Sequence, residues 1–232
     1  MSHNLLKLLS FLCITTLLAS ACRKPTSTVA SSTKKTLENY YVRYSKSEGA
    51  LHSDAVVLEG DSLQNAKVKP VTTFFFGDQE MKKATLPNGA IQYSYDNTEP
   101  YKKEFIFRYN SQNQQISNTV VINKLDSFAI KGIASKSKDL LVEVSPTTLF
   151  EPSESVMALI SDSKGATATI VLTAIKNDGI LNIPGSVFAH LANGKGTLDL
   201  IRKQQQKIQK DNREIQNNTE YYTPQIPVSI GN

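Results

Sequence analysis

One serine, two histidines and a set of turn acids are the residues of this chain whose types and spacing could support chemistry. Ser62 stands in Gly60-Asp61-Ser62-Leu63, directly after the apolar Val56-Val57-Leu58. A serine at the end of a strand becomes a nucleophile when a base reaches its hydroxyl. Beyond His3 the only candidate bases of the histidine type are His52 and His190, and Asn177 in Lys176-Asn177-Asp178-Gly179 would be the candidate oxyanion donor. Neither histidine has a neighbour at zinc-ligand spacing. Asp61, Asp78, Asp162 and Asp178 fall in turn-like contexts, but no calcium-loop motif surrounds them. Tyr40, Tyr41, Tyr93, Tyr95, Tyr101, Tyr221 and Tyr222 offer rings that could stack on sugars, although strand aromatics equally fill cores and cross-strand pairs. The basic stretch Arg202 to Arg213 could meet anionic glycan or headgroups, or form a solvated edge. None of these sets closes into a catalytic, metal or cofactor constellation, so the expectation is a non-enzymatic protein with no cofactor.

Cysteine usage points in the same direction. The chain has two cysteines, Cys13 and Cys22. Leu8 to Leu18 is an apolar run, too short for a bilayer-spanning helix, which needs about 20 residues. Lys7 precedes it, and Ala19-Ser20-Ala21 lead directly into Cys22. This pattern resembles the signal peptide and lipobox of bacterial, bacteroidete-like lipoproteins. The resemblance implies that residues 1–21 are removed and that Cys22 carries the lipid. It also implies an outer-membrane location, because Arg23 is not the aspartate of inner-membrane retention. Arg23-Lys24-Pro25 lacks the acids common after the cysteine of surface lipoproteins, which favours the periplasmic face. With Cys13 removed and Cys22 acylated, the folded part would hold no disulfide and no thiol nucleophile. Removing Lys7 without any acid takes the formal net charge from +5 to +4. That mild excess is spread along the chain, so nucleic acid is not an expected partner.

Ser62 carries a second resemblance. Gly60-Asp61-Ser62-Leu63 is similar to the nucleophile block of the GDSL esterases, which would make Ser62 the nucleophile. In that family an aspartate stands three residues before the histidine; here Val187 precedes His190. The chain also lacks the alternating helices of that fold.

The elements that must position any site are strands. Residues 22–36 form an expected lipidated tether, rich in Ser, Thr and Lys. After it come Leu37–Tyr44, Asp54–Leu58, Val71–Phe76 and Ala90–Tyr95, the last preceded by the turn Leu86-Pro87-Asn88-Gly89. Lys103–Tyr109 alternates cleanly, with Phe105, Phe107 and Tyr109 on one face. Thr119–Ile122, Phe128–Ile133, Leu140–Val144, Ser155–Ile160, Ala166–Ile175 and Ile180–Ile183 follow. Pro184–Leu191 reads as one or two helical turns, and Gly196–Arg202 returns to strand. In Ile201–Asn217 the apolar residues recur only every seven positions, too sparse for a packed helix. It is read as two solvated edge strands about Lys210-Asp211-Asn212. Tyr221–Ile230, with Pro224 and Pro227, closes the chain as an irregular strand.

Short strands at regular spacing indicate an all-β fold, one or two β-sandwiches. Residues 165–203, a Thr/Ala/Val strand, Ile-Lys-Asn-Asp-Gly-Ile-Leu-Asn-Ile-Pro, a short turn and Gly-Lys-Gly-Thr-Leu-Asp-Leu-Ile-Arg, resemble the closing part of immunoglobulin-like modules of exported bacterial proteins. The expected organisation is a signal over 1–21, a tether over 22–36, one sandwich over 37–135 and a second, immunoglobulin-like, over 136–232. The expected function is a scaffold or binding module of the cell envelope, held to the membrane by its lipid and engaging an envelope protein. A glycan-binding accessory role is the alternative, and an esterase using Ser62 the remote one.

Overall fold

The computed structural model describes residues 34–62, 65–69, 71–111, 114–145, 148–173 and 175–232. The expected signal, Cys22 and the expected tether through residue 33 lie outside the described residues. In chain order the elements are β1 (Lys35–Ser45), β2 (Ala50–Gly60), β3 (Lys67–Val68), β4 (Phe74–Phe76), β5 (Gln79–Glu80) and β6 (Lys82–Thr85). Next come β7 (Ile91–Thr98), β8 (Glu104–Ser111), β9 (Gln114–Val121), β10 (Phe128–Lys131), β11 (Ala134–Ser135) and β12 (Leu140–Val144). The chain then forms β13 (Glu154–Asp162), β14 (Thr167–Leu172) and β15 (Ile180–Ile183), a single 3-10 turn over Gly185–Phe188, β16 (Gly194–Lys210), β17 (Arg213–Tyr222) and β18 (Ile226–Gly231). The fold is all-β and sandwich-type, with no closed barrel.

Three sheets build it. An eleven-stranded sheet runs β11-β18-β16-β17-β1-β2-β7-β6, with β13 and β14 branching from β16 and β3 from β2. A four-stranded sheet, β5-β4-β8-β9, packs aromatic side chains onto β1 and β7. A three-stranded sheet, β10-β12-β15, turns Leu140, Val142, Leu181 and Ile183 into the same core as Val156, Ala158, Ile160, Leu198 and Leu200. Lys34–Asn232 is one compact unit, and the large sheet takes strands from both sides of the boundary expected between residues 135 and 136.

The alternation of β8 explains its packing. Phe105, Phe107 and Tyr109 are buried, whereas Glu104 and Ile106 face solvent. The Phe107 ring lies tilted 4.8 Å from Tyr40 and edge-on 4.9 Å from Phe76; Phe74 stacks 4.8 Å from Tyr93 and 5.2 Å from Tyr109. Such ring pairs hold the two sheets together through apolar burial and edge or offset contacts. Gly89, at φ 81°, supplies the left-handed turn residue that Leu86-Pro87-Asn88-Gly89 demands.

Ile201–Asn217 is extended, but its expected edge position does not hold. β17 lies between β16 and β1, paired in parallel with β1 from Thr36↔Arg213 to Ser45↔Tyr222. Within this stretch Gln205–Lys210 pairs with β17 alone, because β13 ends its pairing at Gln204. Gln205, Gln206, Lys207, Gln209 and Lys210 stay exposed, but the arginines near the two ends of the basic stretch are paired inside. Arg213 is bound to Glu38, which also accepts from the Tyr40 hydroxyl at 2.6 Å and the Tyr109 hydroxyl at 2.7 Å. Arg202 is buried against Glu154, donates to the Lys124 and Leu149 carbonyls, and lies 4.6 Å over the Phe150 ring. Charges are buried only when paired and hydrogen-bonded, and both arginines meet that condition. Other departures concern strand lengths. β1 begins at Lys35, inside the expected tether; Val71–Thr73 precede rather than join β4; and Tyr221–Ile230 divides between the end of β17 and β18.

Candidate functional site

The large sheet splits at one place. β16 pairs with β17 from Ile201 onward, but with β18 from Gly194 to Leu198. Between β17 and β18 the chain runs through Thr223-Pro224-Gln225. Thr223 holds this crossing, donating its backbone N–H to the Leu200 carbonyl and accepting the Leu200 N–H at its hydroxyl, each at 3.0 Å. Proline at 224 has no N–H to continue a ladder. The split opens a cleft of about 1080 Å³ walled by the β1–β2 turn, the end of β7 and this crossing.

Charged residues reach the cleft along one register row. Across β16, β17, β1, β2 and β7 the row reads Lys203, Glu220, Arg43, His52 and Asp96. Opposite charges on directly facing strand positions attract. Lys203 Nζ lies 2.7 Å from Glu220 Oε1, while Glu220 Oε2 accepts from the Tyr41 hydroxyl at 2.8 Å and the Tyr222 hydroxyl at 2.9 Å. Burial pushes the Glu220 carboxyl up, but these three donors outweigh it and hold the group below its ordinary range. Burial first, and Glu220 second, push the Tyr41 and Tyr222 hydroxyls up.

His52 sits between two carboxylates. Its Nδ1 is 2.7 Å from Asp96 Oδ1 and its Nε2 is 3.0 Å from Asp54 Oδ2, with the Tyr41 ring edge-on at 6.0 Å. Both ring nitrogens are thereby engaged. The arrangement fixes the imidazole as part of the wall. At the floor, Asp199 is 8% exposed and accepts one hydrogen bond, from Gln225 Nε2 to Oδ2 at 3.0 Å. Burial raises its carboxyl above the ordinary value, and the Gln225 donor offsets this only in part.

The residues singled out by sequence are dispersed. Ser62 follows β2, and its carbonyl accepts from the Asn65 N–H at 3.2 Å. Gly60 aligns with Lys35, beside the β16–β17 hairpin tip, whereas His190 lies four residues before Gly194, at the opposite end of the 17-residue β16. His190 Nε2 donates to the Thr167 carbonyl at 3.1 Å. Asn177 clasps the backbone of Phe150, accepting its N–H and donating to its carbonyl. Asp78 pairs with Arg108, and Asp162 accepts from the backbone of Ala192, Lys164 and Ala166. Among the described residues no group of three or more His, Cys, Asp or Glu side chains is placed to hold a metal ion. Tyr40, Tyr93 and Tyr221 are buried; Tyr41, Tyr95, Tyr101 and Tyr222 are half-buried.

Sequence reasoning missed Arg43, Asp96 and Asp199. Asp199 had one weak signal, an acid enclosed by Leu198, Leu200 and Ile201. Alternation alone assigns it to solvent, on the face opposite Leu198 and Leu200. Compared with known proteins, the chain matches no protein-family model and no curated protein.

Proposed function

We propose that this chain is a lipid-anchored, non-catalytic binding module of the bacterial envelope that holds a protein partner at the split in its large sheet. The N-terminal pattern ending at Cys22 supports the anchor, the outer membrane as its site and the periplasmic side as its face. The observation that carries the binding reading is the open cleft walled by Arg43, His52 and Asp96 and floored by Asp199. Its lining offers charges of both signs and fixed hydrogen-bonding groups, the composition that suits a polypeptide surface better than a sugar face. A glycan reading would rest on Tyr41 and Tyr222, both half-buried and both bonded to Glu220. The immunoglobulin-like kinship of the C-terminal part belongs to the same reading. The test is photo-cross-linking in intact cells from position 97, on the cleft rim, and from position 131, on β10. One dominant envelope protein captured from 97 and not from 131 is the expected result. Cys22→Ser is expected to abolish incorporation of labelled fatty acid.

A further inference from the structure

Four acids are buried among the described residues: Glu38, Glu154, Asp162 and Asp199. Glu38 holds Arg213 and two tyrosine hydroxyls. Glu154 holds Arg202, the Asn123 amide and the Glu151 N–H. Asp162 receives three backbone N–H groups. Each of the three has charge or donors enough to satisfy a carboxylate, which offers about four acceptor sites. Asp199 differs. Its single donor is the neutral Gln225 amide, and neither a lysine nor an arginine pairs with it among the described residues.

The surroundings make this shortfall costly. Asp199 is 8% exposed, and Ile201, two residues on and so on the same face of β16, is 2% exposed. A carboxylate in such a low-dielectric setting calls for a compensating positive charge. Raised proton affinity at Asp199 expresses the same lack. The acid also lines the cleft, so a group entering from outside can reach it. Glu48 and Asp96 add negative charge to the rim. The cleft's own basic groups do not serve it. Arg43 faces Glu220 and His52 in the row on β1, with the Tyr222 hydroxyl beside it, and His52 is taken by Asp54 and Asp96.

We propose that Asp199 is the receptor for a basic side chain, arginine or lysine, of the partner polypeptide. The inference rests on the binding reading above and names the chemistry at its centre. A cation on a long apolar stem can cross the open cleft, past Tyr222 and Pro224, to reach Asp199 on its floor. Entry gives Asp199 the charged partner it lacks, and a hydrogen-bonded charge pair at such a site gives specificity and slows dissociation.

The experiment uses the full chain in detergent, with amide resonances followed as N-acetyl-argininamide is added. N-acetyl-citrullinamide, of the same shape but uncharged, is the control. The arginine probe is expected to shift the resonances of Leu200, Thr223 and Gln225, and the citrulline probe to leave them unmoved. Asp199→Asn, which keeps an acceptor for Gln225, should weaken the arginine probe at least tenfold while the protein stays folded. Equal binding of both probes, unchanged binding to Asp199→Asn, or no binding of the arginine probe to the unsubstituted chain would overturn the proposal. Cross-linking from position 97 is scored separately. A partner still captured there when the arginine probe fails removes this inference and leaves the module reading standing.

Discussion

Arg213 reaches Glu38 with two parallel donors, Nε to Oε1 at 2.5 Å and Nη2 to Oε2 at 2.6 Å, and so ties the start of β17 to the start of β1. Two-pronged pairs of this kind combine charge with fixed geometry. Tyr40 and Tyr109 complete the acid's shell, so strands from both layers of the sandwich meet at one side chain. Glu38→Gln leaves the Arg213 charge without its partner and is expected to cost about 3–5 kcal/mol. Glu38→Leu with Arg213→Met should recover part of that loss. Recovery stays incomplete because the Tyr40 and Tyr109 hydroxyls lose their acceptor. Urea denaturation midpoints of the three proteins check the order.

Phe107 and Ile106 adjoin in sequence and face opposite ways. Phe107 is fully buried among Tyr40, Phe74 and Phe76, whereas Ile106 is 45% exposed. Phe107→Ala is expected to cost about 3–5 kcal/mol through lost burial and the cavity left behind. Ile106→Ala should change stability by about 0.5 kcal/mol or less. Thermal unfolding of both variants, read side by side, measures the contrast.

The buried tyrosines predict an alkaline limit. Burial, with Tyr101 and Tyr44 adding to it, pushes Tyr221 up to about 12 from its ordinary 10.0. Burial and then Glu38 push Tyr40 and Tyr109 up as well. A folded-state value above the unfolded one means that the contribution is complete below pH 10 and is lost as pH rises through the folded value. Stability is therefore expected to fall between pH 10 and about 12, with phenolate absorbance appearing in step with unfolding. Gradual, non-cooperative phenolate formation in a protein that stays folded would contradict this.

Asp199 makes the opposite kind of prediction at neutral pH. Its folded-state value is raised by burial, so its contribution is favourable only below the ordinary 3.8 and is lost as pH rises through the folded value. At pH 7 the ionised group weighs against folding. Asp199→Asn is expected to stabilise the free protein by about 1 kcal/mol at neutral pH, the scale seen when a strained functional group is removed. The gain should vanish in acid, where the carboxyl is protonated. Melting curves of both proteins across that pH range provide the check.

Local patterns revealed much of this architecture. The alternation of Phe105, Phe107 and Tyr109, the turn at Pro87-Asn88-Gly89, and the turn of helix before Phe188 all follow from nearest neighbours and appear where those neighbours place them. What escaped was non-local. Glu38 and Arg213 are 175 residues apart, and nothing around either one announces the other. Arg202 and Arg213 therefore read as solvated charge, although both are enclosed by partners from distant strands. The cleft escaped for the same reason. It arises where β16 exchanges one neighbour for another, which is a property of the sheet's branching and not of any single stretch. His52 was visible as a residue but not as the centre of an Asp–His–Asp bridge, since Asp96 arrives from β7.

The placement of β1 has a mechanical consequence. The strand is clamped on both sides along its whole length, in parallel by β17 and antiparallel by β2. The chain enters it at Lys34, so tension arriving from that side acts along the strand axis. An edge strand pulled sideways gives way one hydrogen bond at a time. β1, loaded lengthwise, has to slide past both neighbours at once and drag Tyr40, Val42 and Tyr44 through the core. The element nearest the point of traction is thus built to resist shear, and a force transmitted from the N-terminal side would be shared across the sheet before any strand could peel away.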